Sequence, residues 1–495
     1  ALLALCCGLA AGCATVDAPA AADSGAGSAA GPGAGPGAGP GGSTSGGAGT
    51  DWVEASQVAT EVDDASAEPQ SGEPSAEPPA EPAADSVAIE GSLSARYIGR
   101  AGDGDQDHDL YTTLGVRVGD QEEDPYSAYV LGRLSQDLDG DSGGEDSPFF
   151  SLEDTYDHRL NGKLYEAYFD FQDLGLDLLR VGRQVFYETP AYVRFDGASA
   201  ETEAEGRGRW RFGAYGGQTS HLYDSSEEDA GVFGAYVSNS LWRGGRTRLD
   251  YMHLEDEDQL GSGKDDLWAG QVHQAVAGEL YLKSGYTLLE SSPREFDARA
   301  TWLPDDSGWM MQTSYYELLQ TEGSLAEELD PYYDTLQELD PYYITRVVVA
   351  KSFEQGYTIE GGADSRQMED SGDEGEFNRE YQRYHLTGTI HDLFLEGLAL
   401  ALTGDRWDSD GSDTDSWGLD LTREMSEKLR TSIGTYYQLY KNDFLLDEEQ
   451  EDVRTYYLAL RYRPEKRLTW GFGYEYEDSE EGGFNTVTAR ATWNF

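Results

Sequence analysis

Cysteine is almost absent from this sequence. The chain of 495 residues contains three cysteines, Cys6, Cys7 and Cys13, and all of them lie in its first thirteen positions. The rest of the chain therefore offers no disulfide, no thiolate nucleophile and no cysteine metal site, which excludes zinc ribbons, iron–sulfur clusters and haem-attachment motifs. We expect no cofactor.

Basic residues are scarce as well. Lys and Arg number 35 against 94 Asp and Glu, so the formal net charge is −59. A chain with this acidic excess is repelled by phosphate backbones and by anionic lipid surfaces, which argues against nucleic acid as a partner. We expect many of the acidic residues to lie in solvent-exposed loops.

Long apolar runs are missing beyond the N-terminus, and hydrophobic residues make up only 38% of the chain. The opening stretch ALLALCCGLAAGCATVDAP is too short to span a membrane as a helix and is typical of the apolar region and cleavage zone of an export signal. Its LAAGC segment resembles a bacterial lipoprotein box, in which Cys13 would be lipidated; ordinary signal-peptidase cleavage nearby is the alternative. Residues 1–13 are therefore predicted to be an export signal remnant or a lipoprotein box.

The next part of the chain, residues 14–86, consists mainly of Ala, Gly, Pro, Ser and acidic residues. It contains GPGAGPGAGPGG and the near-repeats GEPSAEPPAEP. Such a segment cannot bury enough apolar surface to offset the entropy lost on ordering, so we predict a disordered tether.

From residue 87 to residue 495 the texture changes to short segments in which apolar and polar residues alternate. The C-terminal stretch NTVTARATWNF places Val487, Ala489, Ala491, Trp493 and Phe495 on one face, and LTWGFGYEY alternates in the same way. This period of two predicts β-strands with one apolar face. A soluble β-sandwich could also bury such a face, so the connectors have to decide between the two architectures.

The connectors alternate in length along the chain. One set is mostly short, for example RPEK, EMSEK and PDDSG, whereas the other set is mostly long and acidic, for example MEDSGDEGEFN, EDEDQLGSGKDD, DSDGSDTD and NDFLLDEEQED. Short periplasmic turns and long outer loops between strands of about ten residues are the signature of an outer-membrane barrel. We predict an all-β fold, a closed antiparallel transmembrane β-barrel of about 22 strands, with a range of 16 to 22.

This architecture places the chain in the outer membrane of a Gram-negative bacterium, with the N-terminal segment in the periplasm. The expected partners are outer-membrane lipid and the barrel-assembly machinery. Trp493 and the terminal Phe495 resemble the C-terminal aromatic signal that this machinery recognises. The 32 tyrosines fit aromatic girdles at the two membrane interfaces.

Charged residues alternate with the apolar ones and should face the barrel interior. A row of inward arginines would favour anions, because each guanidinium offers five fixed donors. The same face carries acids, including Asp420, so self-neutralising ion pairs are the alternative. The pore-lining candidates are Arg117, Arg180, Arg209, Arg211, Arg246, Arg248, Lys283, Arg299, Arg461, Arg490, Glu166, Asp170, Asp250, Asp297 and Glu475.

The stretch LLRVGRQVFYETPAYVRFDGASAE holds a short motif. Its matching positions are Arg180, Val181, Gly182, Arg183, Gln184, Asp196, Gly197 and Ala198. Here the chain resembles outer-membrane porins of the alginate-export type. This resemblance implies a monomeric barrel with a charged lumen that passes an anionic polysaccharide or small solutes. The flanking YETPAYVRF departs from the family pattern, and beyond the motif the resemblance is one of architecture.

Three other features allow a functional and a plain interpretation. Asp103, Asp105 and Asp107 are weak calcium candidates, but their stretch does not match the EF-hand frame, and a solvated acidic surface is the alternative. The repeated LDPYY at 329–333 and 339–343 predicts either a plug or an exposed loop. His385 has no serine-containing motif beside it, so we expect no enzymatic activity.

The sequence therefore predicts a channel for passive passage of solutes, either anionic polysaccharide or small anions. Two alternatives stay open. The barrel could insulate a multihaem cytochrome in an electron conduit, in which case the cytochrome would be a partner. It could also be a surface adhesion or receptor protein that uses its acidic loops.

Overall fold

A computed structural model describes the chain from residue 87 to residue 495. Residues 1–86 lie outside the described part, and with them the predicted export signal, Cys13 and the tether. The short segments within 87–495 that are likewise outside it are 103, 122–123, 140–148, 150–158, 173, 188, 205–207, 221–230, 258–261, 277–278, 305–306, 322–339, 371, 376–377, 410–411, 444–447 and 480–481.

The described chain folds into 22 strands. They are β1 Ile89–Gly102, β2 Asp105–Val118, β3 Tyr126–Asp137, β4 Leu160–Phe171, β5 Leu178–Phe186, β6 Val193–Ala204, β7 Trp210–Thr219, β8 Gly231–Asn239, β9 Gly245–Glu257, β10 Ser262–Val276, β11 Leu280–Leu289, β12 Ser292–Trp302, β13 Trp309–Leu318, β14 Tyr342–Phe353, β15 Tyr357–Met368, β16 Tyr381–Ile390, β17 Leu398–Ser409, β18 Ser412–Ser426, β19 Leu429–Asp443, β20 Glu448–Glu465, β21 Leu468–Ser479 and β22 Gly482–Asn494. Among the described residues, no helix is long and apolar enough to cross a membrane.

Each strand pairs in antiparallel fashion with the strands before and after it, and β1 pairs with β22. Closure leaves no sheet edge with unpaired backbone groups, which is the condition for strands to lie in hydrocarbon. At the seam, Phe495 exchanges two backbone hydrogen bonds with Gly91, at 3.1 and 2.9 Å. The predicted closed antiparallel barrel is confirmed, at the upper end of the predicted strand range.

The two faces of the barrel differ in chemistry. Large apolar side chains stay exposed on the outside, for example Phe169, Leu402, Trp470 and Trp493. Residues directly opposite in an antiparallel pair lie on the same face, so the register assigns the alternate positions to the interior. These interior positions carry most of the charged side chains of the strands.

The two ends of the barrel differ in their connectors. At the end where β1 begins, here called the short-turn end, the connectors between strands have two to seven residues, as in 427–428 and 119–125. At the opposite, long-loop end, four connectors have eleven residues or more: 138–159, 220–230, 319–341 and 369–380. The predicted segregation of connector length is present, because every long connector lies at one end.

Three segments predicted as long acidic loops are instead mostly strand. β9 and β10 remain paired from Glu257 and Ser262 onward, β17 and β18 meet at Ser409 and Ser412, and β19 and β20 leave only 444–447 between them. Hydrogen-bond pairing in a hairpin does not depend on side-chain polarity, so the ladder continues into acidic sequence. Composition marks where the apolar face ends, whereas the strand itself runs further.

Two glycines allow a close approach between β6 and β7. A Cβ on Gly197 would lie 2.7 Å from the Cα of Gly217, and a Cβ on Gly217 would lie 2.7 Å from the Cα of Gly197. Both distances are shorter than real Cβ contacts, so the two strands can pair here only without side chains.

We therefore expect Gly197→Ala to lower the yield of folded barrel severalfold, because the added methyl group meets backbone rather than a movable side chain. Gly404→Ala on β17 is the matched control, since nothing lies within 4 Å of a Cβ at that position. The measurement is the fraction of refolded chain that migrates as a compact species before heating in gel electrophoresis. Equal fractions for the two variants would contradict the prediction.

Candidate functional site

A row of basic side chains crosses the barrel interior. Its members occupy directly opposed positions on eight successive strands, β9 to β16, so that each faces the next across one strand pair. We call this set the basic row. Its members are Arg246, His273, Lys283, Arg299, Ser314, Arg346, Asp364 and Arg383.

The basic row climbs from one end of the barrel to the other. Arg246 is the second residue of β9, at the short-turn end, whereas Arg383 is the third residue of β16, which starts at the long-loop end. Strands tilted by about 40° and spaced about 4.8 Å apart give the row a rise of about 20 Å along the barrel axis. Basic side chains therefore occupy six of the eight positions along most of the height of the barrel, with Ser314 and Asp364 at the other two.

The lower part of the row borders a recess. This recess, of about 440 Å³, is lined by Arg246, His273, Lys283 and Arg299 together with Trp242 and Tyr281, and no carboxylate stands among its described lining residues. Arg246 is exposed, and the other three basic side chains are half-buried. A group of basic side chains without a carboxylate among the described lining residues is suited to anions, because Lys and Arg donate hydrogen bonds to carboxylate and phosphate oxygens.

The upper part of the row is neutralised by acids. Arg346 Nε lies 2.6 Å from Asp364 Oδ1, and the guanidinium of Arg383 lies 3.9 Å from Asp364 Oδ2. Arg383 also contacts Asp405 on β17 at 2.7 Å. We call these four residues the charge ladder. Two arginines alternate with two buried carboxylates, so this section holds the wall together rather than offering net charge.

Four of the predicted pore-lining residues form two local ion pairs. Arg180 makes a bidentate contact with Asp170, at 2.7 and 3.0 Å, and stacks 3.7 Å from the Tyr168 ring centroid. Arg248 contacts Asp250 at 2.8 Å in the same manner. Both carboxylates are almost fully buried. The sequence left two interpretations of the interior charges open, self-neutralising ion pairs and a row of basic residues that favours anions. The first applies to these two pairs, and the second applies to the recess.

The remaining candidates are spread over the interior wall, except Arg209. Arg117 donates to Gln121 Oε1 at 2.8 Å, and Arg211 lies 3.5 Å from Glu203. Arg209 lies in the connector just before β7, because β6 and β7 stop pairing at Ala204 and Trp210. The register places the others at interior positions of β4, β12, β20, β21 and β22: Glu166, Asp297, Arg461, Glu475 and Arg490.

The VGRQ and DGA motif spans both faces of the wall. Arg180 and Gln184 face the interior, and Gln184 accepts a hydrogen bond from Ser199 at 2.6 Å. Arg183 and Asp196 lie on the outer face, where they form a bidentate ion pair at 2.8 and 2.7 Å. Arg183 also donates to the carbonyl of Leu164 at 3.1 Å. Pairing satisfies both charges on a face that carries many apolar side chains.

The long-loop end of the interior is apolar in two places. The larger cluster is formed by side chains of β6 to β11 with the 187–192 connector and includes Val193, Phe195, Met252 and Leu267. A second cluster joins Tyr342 from the second LDPYY copy to Leu318 and Met368. The first LDPYY copy, 329–333, lies outside the described residues. In these two sectors the interior wall is therefore apolar at the long-loop end.

The calcium candidates take part in other contacts. Asp107 lies 2.5 Å from Arg100 on the interior face, and Asp105 accepts from the backbone of Gln106; Asp103 lies outside the described residues. In the part of the chain that the structure describes, no group of three or more His, Cys, Asp or Glu side chains is arranged to hold a metal ion.

Elsewhere at the long-loop end, burial and the nearby Asp373 carboxylate raise the pKa of Asp340.

The prediction from sequence named three members of the basic row, Arg246, Lys283 and Arg299, and did not list His273 or Arg346. Arg346 stands in ITRVVVAK, where apolar residues occupy both faces and hide the alternation. His273 stands in QVHQAV, where the adjacent Gln274 is also polar and breaks the alternation. The register of the hairpins is the signal that could have shown that these five side chains lie next to one another.

No protein-family model matches this chain, and no curated protein sequence matches it. Solved structures with a similar fold include the translocation pore of the PapC usher, with 9% identity, a TM-score of 0.44 and coverage of 82% of this chain and 99% of that one. OccAB3 of Acinetobacter baumannii has 10% identity and a TM-score of 0.41, over 82% and 99% of the two chains. OccK2 (OpdF) of Pseudomonas aeruginosa, solved in complex with glucuronate, has 11% identity and a TM-score of 0.38, over 82% and 98%.

Proposed function

We propose that this protein is an outer-membrane channel for the passive passage of solutes. The closed 22-strand barrel with an apolar outer face and a charged interior carries this proposal. A wall of this kind is stable in hydrocarbon on one side and in water on the other. Twenty-two tilted strands enclose a ring roughly 40 Å across between backbones, which leaves room for a water-filled path.

The proposal includes a preference of the channel for anions over cations. Support comes from the recess at the short-turn end, where the lining brings together Arg246, His273, Lys283 and Arg299. Arg180 and Arg248 are each paired with a carboxylate on the interior wall, whereas no carboxylate stands among the described lining residues of the recess. Cations in a cleft with low-dielectric walls raise the local concentration of counter-ions. Small carboxylates, phosphates and anionic polysaccharides all carry the matching charge.

The finer points also belong to this proposal. The short turns and residues 1–86 face the periplasm, the long connectors face outward, and Cys13 carries a lipid or is removed with the export signal. Trp493 and Phe495 serve the assembly machinery. An alginate-export-like solute is the narrower form of this proposal; of the motif that suggests it, Arg180 lies on the interior wall and is paired with Asp170, whereas Arg183 and Asp196 face outward.

The test is the conductance of the refolded full chain in planar lipid bilayers under a salt gradient. We expect steady conductance and a reversal potential displaced toward that of the anion. A barrel that is demonstrably folded and yet does not conduct would overturn the proposal. It would favour the hypotheses of a sheath around a cytochrome or of a surface receptor, which no specific contact in the described residues supports.

A further inference from the structure

The recess at the short-turn end and the N-terminal part of the same chain have complementary charges. Between residues 51 and 86 the sequence has ten acidic and no basic side chains, and the first basic residue of the whole chain is Arg96. The recess presents Arg246, His273, Lys283 and Arg299 without a carboxylate among its described lining residues. We propose that the acidic segment 51–86 docks into this recess and competes there with anions from solution.

Chain connectivity puts the segment at the correct end of the barrel. β1 begins at Ile89, at the short-turn end, and the recess lies at the same end between β8 and β12. Glu73 stands sixteen residues before Ile89, so at about 3.3 Å per residue it reaches about 50 Å. This exceeds the roughly 40 Å across the barrel mouth. The segment therefore reaches the recess without any rearrangement of the strands.

The spacing of the acids fits the row as well. Glu73, Glu77 and Glu81 recur at every fourth position, and each is followed by proline. A proline-rich chain bound in an extended conformation advances about 3.1 Å per residue, which places successive carboxylates about 12 Å apart. The four basic members of the row at the recess span about 14 Å across three strand pairs. Two carboxylates can therefore contact opposite ends of the recess at once.

Tethering makes this contact competitive. A covalently attached segment presents its carboxylates at an effective concentration of about a millimolar, without the entropy loss of a free ligand. Each contact is solvated and individually weak, so the interaction depends on several carboxylates and on low ionic strength. The segment is displaced by dissolved anions at high concentration, which makes docking reversible.

Lys283 supplies a direct chemical probe of docking. A carbodiimide joins an amine to a carboxylate with no spacer, so a linked pair must have been in contact. With the refolded full chain at low salt, we expect Lys283 to be linked to residues 51–86 with about five times the yield that Lys466 shows. Near 1 M salt, where the screening length is about 3 Å, we expect the yield for Lys283 to fall about fivefold. Lys466 is the matched control, because it lies in a turn at the same end and outside the recess.

A second variant keeps the test decisive. In the full chain, changing all ten acids of 51–86 to the corresponding amides leaves the barrel untouched, abolishes the linkage and raises anion conductance at low salt. Equal linkage of Lys283 and Lys466, or linkage that does not change with salt, would overturn the proposal. The linkage measurement does not require conduction, so failure of the channel proposal and failure of docking remain distinguishable.

Discussion

Reversing two charges at the recess is expected to reverse the ion preference of the channel. The double variant Lys283→Glu/Arg299→Glu replaces two adjacent cations, directly opposed on β11 and β12, with two carboxylates. The local charge changes by four units on a solvated wall. We expect the anion-to-cation permeability ratio to fall by about tenfold, corresponding to roughly 1.4 kcal/mol, and the reversal potential to change sign.

The control carries the same charge change at the same end. Lys428→Glu/Lys466→Glu alters two exposed turn residues that do not line the recess. We expect its reversal potential to stay within a few millivolts of the unaltered protein, because exposed charges outside the path are screened within about 10 Å at about 0.1 M salt. If both double variants shift the potential equally, overall charge rather than the recess sets selectivity.

Removing the central acid of the charge ladder is expected to have the largest effect on stability. Asp364 is 3% exposed and stands between Arg346 and Arg383. In the Asp364→Asn variant, both arginines lose this carboxylate, and their two positive charges lie on either side of a neutral amide. Breaking a buried ion pair from one side costs about 3 kcal/mol or more, and we expect a cost near 3 because both arginines keep some contact with water.

The measurement is the midpoint of urea-induced unfolding in lipid vesicles, followed by tryptophan fluorescence. Asp415→Asn is the control, since Asp415 is exposed and lies 3.8 Å from the exposed Arg406. An exposed pair contributes less than about 1 kcal/mol, so this midpoint should barely move. Equal shifts for the two variants would show that the ladder is not a stabilising unit.

The fold could be predicted from the sequence because two simple periodicities survive in it. The alternation around Trp470 and Trp493 gives the strands, and the segregation of connector lengths gives the closed barrel. The extent of the hairpins could not be predicted, because pairing around Glu257 and Asp408 continues where the composition turns acidic.

For the candidate site, the charge of each residue and the face on which it lies could be predicted from the sequence. Which residues lie next to one another across the strands could not. Lys283 and Arg299 were both predicted to point inward, yet nothing in the sequence shows that they are directly opposed. That relation depends on the two-residue turn at 290–291 and on the irregular register between Thr287 and Leu288. His273 and Arg346 join the row for the same reason, through hairpin register rather than through local pattern.

The oblique course of the basic row has a geometric consequence for the solute. From Arg246 to Arg383 the row makes seven of the 22 strand-to-strand steps while it rises, which is about a third of the circumference. Its track is therefore a segment of a screw, not a straight line. A stiff rod with charges along one edge can touch only part of this track at a time. The part of the row that lines the recess, from Arg246 to Arg299, makes three of these steps, so a pliable polyanion or a small ion that follows it turns by about a seventh of the circumference as it advances.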